Sequence, residues 1–224
     1  MKSVSKFKNV SKDDIWNSEN IYHLKTDISR ISNLINHYEI YKKIISIPGD
    51  VIECGVFKGI SLTRFLTFRE ILENYNSRKI YGFDVFGKFP KPKNKDDNSF
   101  LKKWEKSAGD GIDVKELNNI LVEKKFSNFS LVKGDVKKTI PNLIKSQPGL
   151  KISLLHLDMD IYEPTKFVLN KLFPYVVKGG IILIDDYNMV FGATKATDEF
   201  LNSNNNLEVK KLKFYKKPSY IVKV

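Results

Sequence analysis

Residues 152–187 (ISLLHLDMDIYEPTKFVLNKLFPYVVKGGIILIDDY) hold four aspartates at the ends of apolar runs: Asp158, Asp160, Asp185 and Asp186. Carboxylates brought together without compensation repel one another, so such a cluster needs a cation, a proton or a basic partner between them. An all-oxygen donor set of this kind suits Mg2+ or a similar hard divalent ion. A structural reading of the same residues has Asp158 capping the helix that follows it and Asp185 and Asp186 opening a loop.

The elements around these acids decide whether they meet. Two apolar runs, at 152–157 and 181–184, each end in carboxylates, and the segment 165–175 between them has apolar residues at helical spacing. Strand, helix and strand in a right-handed βαβ unit make the two strands parallel. Asp158 and the Asp185/Asp186 pair then emerge at one carboxyl edge of one sheet.

Upstream, a strand at 50–54 leads into Gly55-Val-Phe-Lys-Gly59 and a helical run at 62–75. That order lets backbone approach a ligand and aims a helix N-terminus at it; an ordinary tight turn needing glycine at positive φ would read the same way. The next strand, 79–83, ends at Asp84, 84 − 53 = 31 residues after Glu53. A carboxylate at that strand tip is placed to accept both hydroxyl hydrogens of a ribose.

A third strand at 129–133 ends in Gly134-Asp135, and a short helical segment follows to about residue 145. After the βαβ unit come a helix at 194–202 and two β-type runs, 207–214 and 219–224, around a turn containing Lys216-Lys217-Pro218. Their proximity makes a hairpin, so the last strand is expected to be antiparallel. The expected architecture is one α/β domain: a Rossmann-like, seven-stranded, mostly parallel sheet with helices on both faces. Residues 1–48 are expected to add a helical layer, with a helix at 38–47 stopped by Pro48-Gly49 and one or two more within 13–36. Residues 87–112 are too long and polar for an ordinary connection and read as a mobile lid, whose Phe89, Phe100 and Trp104 argue that it closes on something.

Composition narrows the function classes. The chain of 224 residues is 42% hydrophobic and 12% aromatic, with no apolar run long enough to span a bilayer. The N-terminus lacks the apolar core and cleavage site of a secretory signal, and a lone cysteine, Cys54, forms no internal disulfide. Both facts favour the cytoplasm. The net charge of +12 raises a nucleic-acid reading, yet the lysines are scattered over nearly every segment, and no nucleic-acid partner is expected. A dinucleotide-dependent oxidoreductase shares the glycine turn and the acidic strand end; the terminal hairpin and the carboxylates weigh against it.

Taken in order, E-C-G-V-F-K-G, Y-G-F-D, G-D, L-D-M-D-I-Y-E-P-T and G-G-I-I-L-I-D-D-Y resemble a class I S-adenosylmethionine-dependent methyltransferase. The likeness is specifically to the macrocin O-methyltransferase-like family, which modifies sugar hydroxyls, and covers roughly residues 45–224. It implies that Glu53, Gly55 and Gly59 form the turn beneath the methionine part of S-adenosylmethionine, with Ser61 adding a bond to its carboxylate. Asp84 would hold the ribose and Asp135 the adenine amino group. The spacing 185 − 158 = 27 matches the family's metal triad, which assigns Mg2+ to Asp158, Asp185 and Asp186.

A sugar hydroxyl becomes a nucleophile when its proton is lost or shared, and Asp158 and Asp160 are the acceptors within reach. The implied acceptor is a sugar of a surface polysaccharide, a nucleotide-linked sugar or a glycosylated natural product. Another hydroxylated small molecule, or RNA, is the alternative. No histidine stands out as a base: His156 reads as a core residue inside its strand, and His23 and His37 as surface residues of the N-terminal layer. Cys54 reads as buried and inert. Tyr162 and Tyr187, beside the acids, either stack on a sugar face or pack. The N-terminal layer would serve as a lid or as the interface of a homo-oligomer.

Overall fold

The computed structural model describes residues 10–92, 95–213 and 217–224. Residues 1–9 of the expected N-terminal layer, 93–94 of the expected lid, and Phe214 and Lys216 of the expected hairpin lie outside the described residues. The chain builds a single seven-stranded sheet in the order β3-β2-β1-β4-β5-β7-β6. Its strands are β1 (Asp50–Cys54), β2 (Ile80–Asp84), β3 (Phe129–Lys133), β4 (Ile152–Leu157), β5 (Val176–Ile184), β6 (Val209–Lys211) and β7 (Ser219–Val222). Strand β7 runs antiparallel to both β5 and β6, and the pairs from β3 through β5 are parallel. The expected architecture is therefore present, and the order reverses direction between β1 and β4, where ligands of open α/β sheets bind.

The helices are α1 (Lys12–Lys25), α2 (Ile28–Ile44), α3 (Ile60–Leu72), α4 (Lys95–Ala108), α5 (Val114–Glu123), α6 (Val136–Ser146), α7 (Tyr162–Leu172) and α8 (Phe191–Asn202). Successive strand side chains point to opposite faces. Ile52, Leu155 and Ile182 accordingly join the core under α6, α7 and α8, whereas Val51, Leu154 and Leu183 join the core under α2, α3 and α5. Several helices start on an aspartate whose carboxylate accepts from their first-turn amides: Asp27 for α2, Asp113 for α5 and Asp135 for α6.

Several elements differ from expectation: the helix expected at 38–47 is the end of a longer α2 that stops at Ile44, and of the described residues in the β-type run at 207–214 only Val209–Lys211 is a strand. Strand β5 begins at Val176, five residues before the apolar run at 181, because Gly179 takes φ +80° and absorbs a register shift against β4. The segment 87–112 contains α4, with Leu101 and Asp97 buried. Its charges and flanking glycines and prolines hid an amphipathic helix. Trp104 of α4 rests on Phe57 and Phe89 with ring centroids 4.6 and 5.4 Å away.

Helix α2 packs on α3, β4 and β5. Arg78 anchors its end: the guanidinium donates to the carbonyls of Ile44, Ile45, Ile47 and Gly49 and pairs with Glu73 at 2.7 Å. One buried cation thus satisfies the orphan carbonyls where Pro48-Gly49 ends the helix. Helix α1, by contrast, buries none of its residues.

Candidate active site at the carboxyl edge of the sheet

The turn after β1 is shaped by close approach. Gly55 has φ +93°, and a β-carbon there would run into the carbonyl of Asp158 at the end of β4. Asp84 ties down the same turn: its Oδ2 accepts from the amides of Val56 and Phe57 at 2.8 and 2.9 Å, and its Oδ1 accepts from Phe86 at 2.6 Å. A carboxylate has about four acceptor positions. Three serve the protein, which leaves about one for a ligand hydroxyl.

Asp158, Asp160 and Asp186 each bring a carboxylate oxygen within 4.8 Å of the others. Asp160 reaches this position from a left-handed backbone, φ +61°, a conformation that aspartate tolerates better than most residues. Burial first, and then the charges of Asp185 and Asp186, push the Asp158 carboxyl well above its usual range. Burial, followed by Asp186 and Asp158, does the same to Asp160. A hard divalent cation would relieve that repulsion, and three carboxylates are the donor chemistry it prefers. The residues present fit such an ion.

Asp185, expected in the metal set, lines the same cleft and also belongs to a second cluster of possible ligands, with His37 and His156. Its Oδ1 lies 3.5 Å from His37 Nε2, 3.8 Å from His156 Nε2 and 3.4 Å from the Asn33 amide. Burial would raise its pKa, but the two imidazoles hold it well below the usual carboxylate range. Burial alone would lower the pKa of His156; Asp185 and Glu53 overcome it and push the imidazole up to about 10. The His156 ring thus lies buried between the Glu53 and Asp185 carboxylates, 3.8 Å from each. His37, buried and held neutral by desolvation, stacks on Phe65 at 5.2 Å. The surface expected for His37 is corrected: α2 packs directly over β4 and β5 and carries it inside. His23 is exposed and His156 buried, as expected.

A cleft of about 570 Å3 connects these features, within the usual size for a small-molecule site. Gly55, Asp84, Asp135, Asp158, Asp160, Asp185 and Asp186 line it. Glu53 and Ser61 are buried behind its wall, where the serine hydroxyl donates to Glu53 Oε1 at 2.5 Å. The space a Gly59 side chain would need is filled by Leu117. Tyr162 and Tyr187 are also turned away, donating to Glu199 and Asp198 of α8 at 2.6 and 2.8 Å. The Cys54 thiol is buried, and desolvation raises its pKa.

Residues that sequence reasoning did not single out complete the cleft. Lys217 lies 3.7 Å from Asp186 Oδ1 and 3.9 Å from Asp185 Oδ2, and Arg30 lines the wall from α2. Only the Lys217-Pro218 turn was legible in the sequence; its proximity to the acids comes from β7 pairing with β5. Among the described residues, no helix is long and apolar enough to cross a membrane.

The family model for macrocin O-methyltransferase (TylF) matches residues 16–212. The chain belongs to the macrocin O-methyltransferase family. Among its relatives in this family, mycinamicin III 3''-O-methyltransferase of Micromonospora griseorubida is 27% identical over 173 residues, 75% of this chain and 66% of that protein. Demethyldecarbamoylnovobiocin O-methyltransferase of Streptomyces niveus is 25% identical over 189 residues, 80% of this chain and 67% of that protein. This member of the family thus spans about two thirds of the length of those relatives. The crystal structure of the calicheamicin methyltransferase CalS11 superposes with a TM-score of 0.71 and 26% identity, covering 95% of this chain and 86% of that one. Several of the matched structures thus share the methyltransferase sheet with this family member.

Proposed function

We propose that the protein transfers a methyl group from S-adenosylmethionine to a sugar hydroxyl, with a divalent ion, Mg2+ by donor chemistry, held by Asp158, Asp160 and Asp186. The observation that carries this reading is that one cleft joins the Asp84 and Asp135 carboxylates to the acidic cluster. When bound, the cofactor supplies an electrophilic methyl group and the ion lowers the pKa of the acceptor hydroxyl. The relatives named above are O-methyltransferases of mycinamicin III and demethyldecarbamoylnovobiocin, which supports a glycosylated small molecule as acceptor.

The chain's own residues do the positioning. Asp84 and Asp135 hold the nucleoside end, while the Gly55 turn, braced by Glu53 and Ser61 from behind and closed by Gly59 against Leu117, sets the backbone beneath the methionine end. Phe57, Phe89 and Trp104 keep water from one wall. The hydroxyl proton passes to a carboxylate of the Asp158/Asp160 pair, the acceptors that lie within the acidic cluster.

Calorimetric titration of S-adenosylhomocysteine, with Mg2+ and after chelation, tests the reading. Micromolar binding together with chelator-sensitive methyl transfer to a glycosylated acceptor is expected. Absence of binding under both conditions would overturn it.

A further inference from the structure

His37 and His156 are the buried histidines of the chain, and methyl transfer as described above uses neither. Both nitrogens of each ring are buried without a hydrogen-bond partner, and so is Oε2 of the neighbouring Glu53. Buried polar atoms left this way are costly and rare, and several at one place point to a missing partner.

The rings converge on one oxygen. His37 Nε2 lies 3.5 Å and His156 Nε2 3.8 Å from Asp185 Oδ1, and one ligand atom from each of the three residues lies within 4.8 Å of the others. These separations are longer than a good hydrogen bond. They are near the spacing of ligands around a tetrahedral ion with bonds of about 2.0–2.2 Å, which is roughly 3.3–3.5 Å. The two ring centroids are 5.2 Å apart with planes inclined at 71°. Imidazoles that each aim a nitrogen at one such ion have centroids roughly 5 Å apart.

The far side of His156 is arranged to match. Its Nδ1 faces Glu53 Oε1 at 3.8 Å, and that oxygen accepts from the Ser61 hydroxyl at 2.5 Å. A carboxylate behind a ligating histidine fixes the ring and raises its basicity. Phe65 packs against both imidazoles, with centroids 5.2 and 5.3 Å away, and keeps the pocket apolar.

We propose that His37, His156 and Asp185 form a second metal site, one for Zn2+, distinct from the carboxylate cluster of Asp158, Asp160 and Asp186. Mg2+ takes oxygen donors, whereas two imidazoles and a carboxylate are a donor set of zinc. A dication there balances the Glu53 and Asp185 carboxylates, as buried charge requires. Asp185 lines the cleft, which gives the ion a way in and leaves its fourth position to water. The ion would tie α2, which carries His37, to β4 and the end of β5, which carry His156 and Asp185. The inference stands apart from the methyl-transfer reading, because zinc occupancy is measured without cofactor or acceptor.

The test uses the untagged full chain, stripped with a chelator, incubated with Zn2+ in excess Mg2+ and freed of loose metal by gel filtration. The wild type is expected to keep about one zinc per chain, with an X-ray absorption edge fitted by two imidazoles. Glu53→Gln should weaken zinc binding by roughly ten- to a hundredfold. His37→Gln and His156→Gln should weaken it further, and Asp160→Ala should leave it unchanged. Absorption by the wild type keeps the outcome independent of how well any variant folds. A wild type that keeps no zinc would overturn the proposal. So would zinc retained by both glutamine variants of the histidines, zinc lost in Asp160→Ala, or an edge fitted by oxygen alone.

Discussion

His37 Nε2 lies 3.5 Å from Asp185 Oδ1, although 185 − 37 = 148 residues separate them in the chain. The contact makes α2 part of the candidate site. Asn33 on the same helix face extends it, donating to Asp185 and accepting from Arg64 at 2.7 Å.

His37→Ala is expected to remove a ring that stacks on Phe65 and packs against His156, and to leave Asp185 with one imidazole fewer. The cost should be about 2–4 kcal/mol, typical of emptying a large buried site. Urea unfolding measures it. A loss below about 0.5 kcal/mol would mean that α2 does not depend on this contact.

His156 makes the metal-free protein sensitive to alkali. Its folded-state pKa, about 10, lies above the 6.5 of an unperturbed imidazole, so the native protein holds the proton more tightly than the unfolded chain. The stabilising contribution is full below pH 6.5 and is lost as pH rises through about 10. Denaturant unfolding in the presence of a chelator should show stability falling across that window. His156→Phe should flatten the slope; an unchanged slope would move its origin to another group.

Mg2+ is expected to raise the melting temperature, since an ion that binds only the folded state at about 100 times its dissociation constant adds ~2.7 kcal/mol. The shift should vanish in Asp158→Ala, Asp160→Ala and Asp186→Ala. Asp185→Ala should keep much of it, because that carboxylate faces His37 and His156. The opposite pattern, with Asp185 essential and Asp160 dispensable, would favour the Asp158, Asp185 and Asp186 triad expected from sequence over the set proposed above. Asp186→Ala should abolish methyl transfer while leaving S-adenosylhomocysteine affinity mostly intact.

Asp84→Ala is expected to weaken S-adenosylhomocysteine binding by roughly ten- to a hundredfold. It should also destabilise the protein without ligand, because three amides lose their acceptor. Calorimetry and thermal unfolding read the two effects separately. Wild-type affinity in a destabilised variant would confine Asp84 to bracing the turn.

The sequence by itself determined the sheet and the edge at which the chemistry gathers. Apolar runs bounded by glycine and aspartate mark strands through local preference, and the handedness of parallel connections sends Asp84, Asp158 and Asp185 to one edge whatever the side-chain details. The antiparallel last strand followed from two β-type runs close in sequence. Tertiary structure decided which carboxylate faces which partner. Asp160 joins Asp158 and Asp186 because its backbone turns left-handed, a choice that Leu-Asp-Met-Asp does not spell out. His37 and Lys217 reach the acids from helices and strands distant in the chain, brought there by packing of α2 on the sheet and pairing of β7 with β5. Side-chain direction at a shared edge depends on atoms from every neighbouring element, and a local pattern carries no term for them.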